Sequence, residues 1–388
     1  MTEATVTTPP RLLFVVAEDY YFWSHRLHLA RACREAGAEV HVASAMNACR
    51  EHIEAEGFIA HHLPFDRAGL NPLREASCVV AIARLLRAVR PDLAHLVAIK
   101  PILYGALAAR LAGDPSLVAA VAGMGFVFLP GGRKRRVLRF VAEKWYRLFL
   151  KGRPNVRLLV QNPDDKTHFL SHGLIDPGQV DIVPGSGVDT GRFTPAPEPV
   201  DGPVRVLTHS RMLWDKGIGV LVEAAGILAA RGLEMEFLLA GEPDPKNPAA
   251  ISPETLAAWD GKDGVRVLGR RADIPELLAS CHIACLPSFR EGLPLSLIES
   301  AAAGRPLVST DVPGCREICR HGENGLLAEI RDPVSLADNL ERLARDPELR
   351  RAFGAKSREM AENIFSKEAV VARTFDVYRR LLRGAWPA

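Results

Sequence analysis

Apolar residues in this chain gather in short runs set between amphipathic stretches. Residues 12–17, 40–43, 94–99, 117–122 and 157–160 are predominantly apolar and of strand length. Between them, residues 25–36, 72–90 and 101–112 carry a helical apolar period. Unbroken apolar runs alternating with helices predict a parallel sheet covered on both faces. A Pro- and Gly-rich stretch at 183–203 interrupts the pattern and has the composition of a linker. The alternation then restarts, with strands expected at 204–208, 236–240, 265–268, 283–286 and 307–309 and a helix over 216–231. The predicted architecture is α/β: two doubly wound Rossmann-like domains facing a central cleft, over residues 1–193 and 204–365.

The length of 388 residues suits two domains, and the 48% of apolar residues supplies a core for each. No run of 18 apolar residues occurs, so no membrane span is expected. Residues 1–10 show neither a basic start nor an apolar signal region; a disordered tail and a cytoplasmic protein are expected. Seven scattered cysteines fit reduced thiols. Cys281 with Cys285, and Cys315 with Cys319, share a C-x3-C spacing, but nothing closes a tetrahedral site at zinc spacings, and no metal is expected.

One segment changes the charge picture. Gly131–Arg153 holds nine Lys/Arg and one acid, a net charge of +8 in a chain of +3. On a helical wheel Val137, Leu138, Phe140, Val141, Trp145, Leu148 and Phe149 share one half, and Arg135, Arg136, Arg139 and Arg147 the other. Two readings stand: a domain helix with a solvated basic face, or a contact with an anionic membrane surface or anionic lipid-linked substrate. In the second, Arg135, Arg136, Arg139 and Trp145 are the membrane-contact candidates, and the protein lies peripherally on the inner face of the cell membrane. No nucleic-acid-binding motif accompanies the patch.

Two glutamates raise a question of chemistry. Pro294–Gly304 reads as a short apolar helix bounded by Pro and Gly, yet it carries Glu299. A carboxylate on such a helix needs a partner. Glu291 stands eight residues upstream in the preceding turn, and the helix N-terminus between them suits an anion. Arg211 and Lys216 follow the first strand of the second domain, a planar fork and a movable point charge matched to phosphate oxygens.

The segment Ser288–Ile318, SFREGLPLSLIESAAAGRPLVSTDVPGCREI, resembles the signature of family 4 glycosyltransferases, and the likeness spans nearly the whole chain. It implies the GT-B fold, with a last helix at about 367–384, within residues 366–388, crossing back onto the first domain. It also implies that Arg211 and Lys216 hold a donor diphosphate and that Glu299 takes the nucleotide ribose. Glu291, with Gly292 and Leu293, is implied to contact the donor sugar and its phosphates. Arg211, Lys216 and Glu291 form the catalytic set, and Gly241 and Leu268 line the base pocket.

In the first domain, Glu18–Arg26 lacks the Gly-Gly loop of many family members, and no histidine stands by Gly123–Gly125. His25, Arg26, His95 and Lys100 remain as acceptor-side candidates, with Tyr104 beside them. Residues 91–112 together with 122–128 resemble bacterial members that build surface polysaccharides on a polyprenyl diphosphate. The resemblance implies a retaining hexosyl- or N-acetylhexosaminyltransferase. It uses a nucleotide sugar, UDP-linked, as substrate rather than cofactor, and a lipid-linked or glycan acceptor. No D-x-D triplet occurs, so transfer without a metal is expected, Arg211, Lys216 and a helix dipole supplying positive charge. Two rivals stay open: a nucleotide-sugar 2-epimerase on a similar fold, and a non-catalytic glycosyltransferase-like subunit.

Overall fold

The computed structural model describes residues 9–66, 71–123, 133–245, 247–383 and 386. Residues 1–8 of the expected tail, the Met124–Phe128 part of the glycine loop and the Arg135 side chain lie outside the described residues. The chain divides into two compact units, one of residues 1–186 with 371–388 and one of residues 187–370.

The first unit holds a seven-stranded sheet. Its strands are β1 (Arg11–Glu18), β2 (Glu39–Ala45), β3 (Ile59–His62), β4 (Leu93–Val97), β5 (Ser116–Ala120), β6 (Val156–Val160) and β7 (Val180–Ile182). They lie in the order β3-β2-β1-β4-β5-β6-β7, every pair parallel. The second unit holds β8 (Val204–His209), β9 (Met235–Ala240), β10 (Val265–Gly269), β11 (Ile283–Leu286), β12 (Leu307–Thr310) and β13 (Gly325–Ala328). Their order is β10-β9-β8-β11-β12-β13, again all parallel. Strand order therefore reverses between β1 and β4 in one sheet and between β8 and β11 in the other. Each reversal opens a crevice at the carboxyl ends of the strands.

Local chemistry sets many helix starts. Asn71, Asn162, Ser252, Asp332 and Asp346 each precede a proline, and each side chain accepts a hydrogen bond from a backbone N–H of the first turn. The cap satisfies an orphan donor, and proline at the first helical position has none to lose.

The expected linker is fastened along much of its length to the second unit. Val188 N–H donates to Phe365 O, and Lys367 N–H donates to Val188 O. Arg358 Nη1 donates to the carbonyls of Thr190, Phe193 and Ala302. Buried Arg305 donates to Ala196 O at 2.8 Å, and Arg350 pairs with Glu198 at 2.9 Å. Guanidinium groups with several donors satisfy backbone carbonyls that a proline-rich segment cannot pair in a ladder.

His95, inside the apolar run expected as a strand, lies within β4 and is 2% exposed. The period reading ran the strand to residue 99, whereas Ile99 already starts the helix Ile99–Leu111. The His95 ring stacks on Phe14, and its Nδ1 lies 2.5 Å from the Tyr378 hydroxyl, within the first unit. The ring is thus packed among side chains of the first unit.

Burial, with the nearby Arg26 charge, holds His95 well below its ordinary pKa. His61 and His282 are lowered too, chiefly by burial. Below the ordinary histidine value of about 6.5 the unfolded chain gains protons that the folded protein refuses, so stability falls with pH. Urea melts at pH 7.5, 6.5 and 5.5 should show that loss. In His95→Gln the slope should shrink by up to about 1.4 kcal/mol per pH unit. Identical slopes in both proteins would contradict this assignment.

Candidate active site

The carboxyl edge of the second sheet gathers the residues singled out above. After β8 the chain makes a short 3-10 turn, Trp214–Lys216, ended by Gly217 at φ +72°. A Cβ on Gly217 would lie 1.9 Å from the carbonyl oxygen of Pro287, just past β11. Only glycine allows both that conformation and that approach. The turn then bonds to the neighbouring loop: Phe289 N–H and Ser288 Oγ both donate to Asp215 O. On the far side Gly314, at φ +81°, would bring a Cβ within 2.4 Å of Gly292 O. These close approaches place Lys216 and Glu291 against each other as a half-buried ion pair.

Hydroxyl groups brace the same edge. Thr208 Oγ1 donates to Cys285 O at 2.7 Å, tying β8 to β11, and Ser309 Oγ donates to Leu286 O at 2.6 Å, tying β12 to β11. Glu299, on the helix Leu295–Ala302, is half-buried, and its Oε2 lies 3.0 Å from Nε2 of His209, the last residue of β8. Sequence reasoning missed this partner. Its one signal was a polar residue closing an apolar strand. Arg211 bonds Asp244 at 2.9 Å, and its side chain is largely exposed to solvent. Gly241 follows β9 and donates its N–H to Gly269 O at 2.7 Å, while the Leu268 side chain packs on the core.

The glycosyl transferases group 1 profile matches residues 203–346, and the glycosyl transferase 4-like profile matches residues 11–156. Together the two profiles span most of the chain, which carries a glycosyl transferases group 1 domain and a glycosyl transferase 4-like domain. A Campylobacter jejuni relative, N,N'-diacetylbacillosaminyl-diphospho-undecaprenol alpha-1,3-N-acetylgalactosaminyltransferase, is 26% identical over 95% of this chain and 97% of its own. An Escherichia coli relative, UDP-Gal:alpha-D-GlcNAc-diphosphoundecaprenol alpha-1,3-galactosyltransferase, is 27% identical over 71% of this chain and 72% of its own. The fold matches that of a glycosyltransferase from Rickettsia africae, with a TM-score of 0.79 at 18% identity over 97% of this chain and 99% of that one. The relatives are named transferases, and the epimerase reading is set aside.

In the first unit of this glycosyltransferase, the segment Glu18–Arg26 that lacks the Gly-Gly loop forms a helix, Asp19–His25, that starts directly at the end of β1. Buried Asp19 is the reason: its carboxylate accepts backbone N–H groups from Tyr20, Asn47 and Cys49. His25 stacks on Tyr21 and is half-buried; Arg26 is buried and donates to His25 O. Lys100 Nζ donates to Asp66 O and Glu75, and Glu75 also takes the Tyr104 hydroxyl. Arg26 is therefore buried, and Lys100 is half-buried in an ion pair with Glu75.

The basic segment forms the helix Arg133–Phe149, and its faces differ from the wheel. Ala142, Tyr146 and Leu150 are buried, and Trp145 donates its indole N–H to Leu103 O at 2.7 Å. Arg139 bonds Glu143 at 2.7 Å and His172 at 3.1 Å. Trp145 is thus tied into the fold, whereas Arg139, 35% exposed, pairs along the helix surface. A wheel merges two adjacent apolar stripes, and only one of them packs. The other, Val137, Phe140, Val141 and Leu148, is 47–66% exposed beside exposed Arg136, with Lys144 over the Phe140 ring. Glu143, His168 and His172 bring ligand atoms within 4.8 Å of one another, a spacing that suits a metal. Arg139 and Arg147 already supply the cationic charge there.

The Gly217 contact yields a direct test. Gly232 has the same backbone sign, at φ +76°, with nothing within 4 Å of an added Cβ. Gly232→Ala should cost only the left-handed penalty, about 1–2 kcal/mol. Gly217→Ala adds the collision with Pro287 and should lower the denaturation midpoint clearly further. Equal losses in the two variants would remove the close approach from the account.

Proposed function

We propose that this glycosyltransferase moves a hexose or N-acetylhexosamine from a UDP-sugar to a saccharide on a polyprenyl diphosphate, with retention, at the inner membrane face. The contact of Lys216 with Glu291 at the reversal between β8 and β11 carries the reading. Support for the acceptor class comes from the relatives named for undecaprenyl-diphosphate-linked sugars, one of which also names UDP-Gal.

Before the donor arrives, Glu291 neutralises Lys216. The diphosphate then draws Lys216 to its oxygens and Arg211 away from Asp244. Glu291 turns to a sugar hydroxyl and Glu299 to the ribose, with Gly292 and Leu293 beside the sugar and Gly241 and Leu268 on the base side. The bond from the anomeric carbon to the phosphate oxygen breaks. The acceptor oxygen bonds that carbon on the same face, and its proton passes to the departing phosphate. Lys216 and Arg211 stabilise the charge that develops there, and the reaction runs without a metal. On the acceptor side, His25 and Lys100 are the candidates that keep partial exposure.

Lys216→Ala and Arg211→Ala each remove charge-assisted hydrogen bonds worth about 1.5–3 kcal/mol. Turnover on a UDP-sugar should fall about 10- to 150-fold with circular dichroism unchanged, and excess EDTA should leave the wild-type rate in place. Wild-type turnover in both variants would sink the assignment. A panel of nucleotide sugars identifies the donor by which one slowly releases its nucleotide.

The helix Arg133–Phe149 supports the membrane part. Basic residues near an anionic surface gain about 1 kcal/mol each, and exposed Phe140 and Leu148 add shallow insertion. Co-sedimentation with vesicles containing phosphatidylglycerol should exceed that with phosphatidylcholine alone and weaken in salt. Phe140→Ser with Leu148→Ser should reduce it, whereas Trp145→Phe should not. Equal sedimentation of wild type and the double variant would reject this face.

A further inference from the structure

We propose that His209 is a positioning residue that presents the Glu299 carboxylate to the donor ribose and so makes the site selective for ribonucleotides. The inference rests on the reading of Glu299 as the ribose ligand. The observation is a contact between two elements: His209 Nε2 and Glu299 Oε2 stand 3.0 Å apart, with the imidazole only 9% exposed.

The two partners differ in freedom. His209 closes β8, which pairs with β9 on one side and β11 on the other. Its backbone is held in register with Ala240, and the next residue, Ser210, donates its N–H to Ala240 O. Thr208, one residue before, is bonded across to Cys285 O. The imidazole, with two side-chain torsions, is thus anchored at a rigid strand end. Glu299 has three torsions and sits on a helix of eight residues, its carboxylate one-fifth exposed. Without a partner it would sample several rotamers, and ordering it on binding would reduce affinity.

The contact also decides which oxygen stays open. An imidazole N–H on Oε2 leaves both lone pairs of Oε1 to accept from ligand hydroxyls. A carboxylate anchored through one oxygen and offered through the other fits a vicinal diol, which presents two adjacent O–H donors. The 2′- and 3′-hydroxyls of a ribonucleotide have this form, and a 2′-deoxynucleotide lacks one of them. A site that holds a hydroxyl through a charged acceptor rejects the analogue without it.

Calorimetric titration of the full-length protein with UDP and with 2′-deoxy-UDP tests the inference. Wild type should bind UDP more tightly. His209→Asn is too short to reach Glu299, and it should weaken UDP binding about 10-fold while leaving 2′-deoxy-UDP within about twofold. His209→Gln, long enough to donate to the carboxylate, should restore most of the preference. In steady state the Asn variant should raise KM for the donor with kcat little changed. In a Glu299→Ala background, His209→Asn should have no further effect on UDP. Wild-type discrimination in a folded Asn variant, or equal weakening of both nucleotides, would overturn the inference. If His209→Asn does not fold, failure of His209→Gln to keep the preference would overturn it as well. Unchanged UDP binding in Glu299→Ala would instead remove the ribose reading on which the inference rests.

Discussion

Every strand in each sheet points the same way, and most of what this protein displays depends on that constraint. A parallel sheet has two unlike ends, and all the segments that leave a strand emerge at one of them. Residues as distant in the chain as Lys216, Gly241, Gly269 and Glu291 become neighbours of one edge because their strands share a direction. The same constraint demands cover on both faces, so most strand interiors are apolar, with buried His41 and His95 as exceptions, and hydroxyl groups brace the strand ends. Thr208, Ser309 and Thr310 mark those ends in the second unit, each bonding a carbonyl across the edge. Rigidity where the strands stop is what a loop needs in order to hold a charged side chain in a defined place.

Much of this was legible in the residues. The unbroken apolar runs marked β1, β2, β4, β5, β6 and β8 to β12, with ends displaced by a residue or two where the following helix begins on apolar residues, as at Ile99. β3, β7 and β13 were not legible: each is only three or four residues long, and β3 and β7 carry polar residues amid the apolar ones. The helix Asp19–His25 was hidden because its start is set by backbone groups at Asn47 and Cys49, far away in sequence, converging on Asp19. For the site, the motif residues stood out by spacing, and the structure brings Lys216 to Glu291. It does not bring Arg211 to them, because Asp244 competes for the guanidinium. His209 escaped notice because a single histidine carries no spacing; only the fold supplies its partner.

The basic helix shows why periodicity alone misjudges a surface. Its apolar residues cover more than half a turn, and the helix can bury only the part that meets the helix Ile99–Leu111 and the sheet. Trp145 and Tyr146 are on the packed side, Phe140 and Leu148 on the open side. Several arginines outside that helix are internal fasteners, a role that no spacing in the sequence marks. Arg305 is among the largest fully buried side chains, and Arg350 is 5% exposed.

Those fasteners set an order on how the chain can be completed as it is made. The segment at residues 190–198 is held by Arg305, Arg350 and Arg358, so it is not fully fastened until more than 150 further residues have left the ribosome. The first unit waits longer still. Its His95 is closed over by Tyr378, and its Asp181 meets Arg380, both contributed by the final helix. The half that is synthesised first is therefore the half that is finished last. A nascent chain halted anywhere before residue 378 carries an N-terminal sheet whose core is still open, a state in which chaperones would find it.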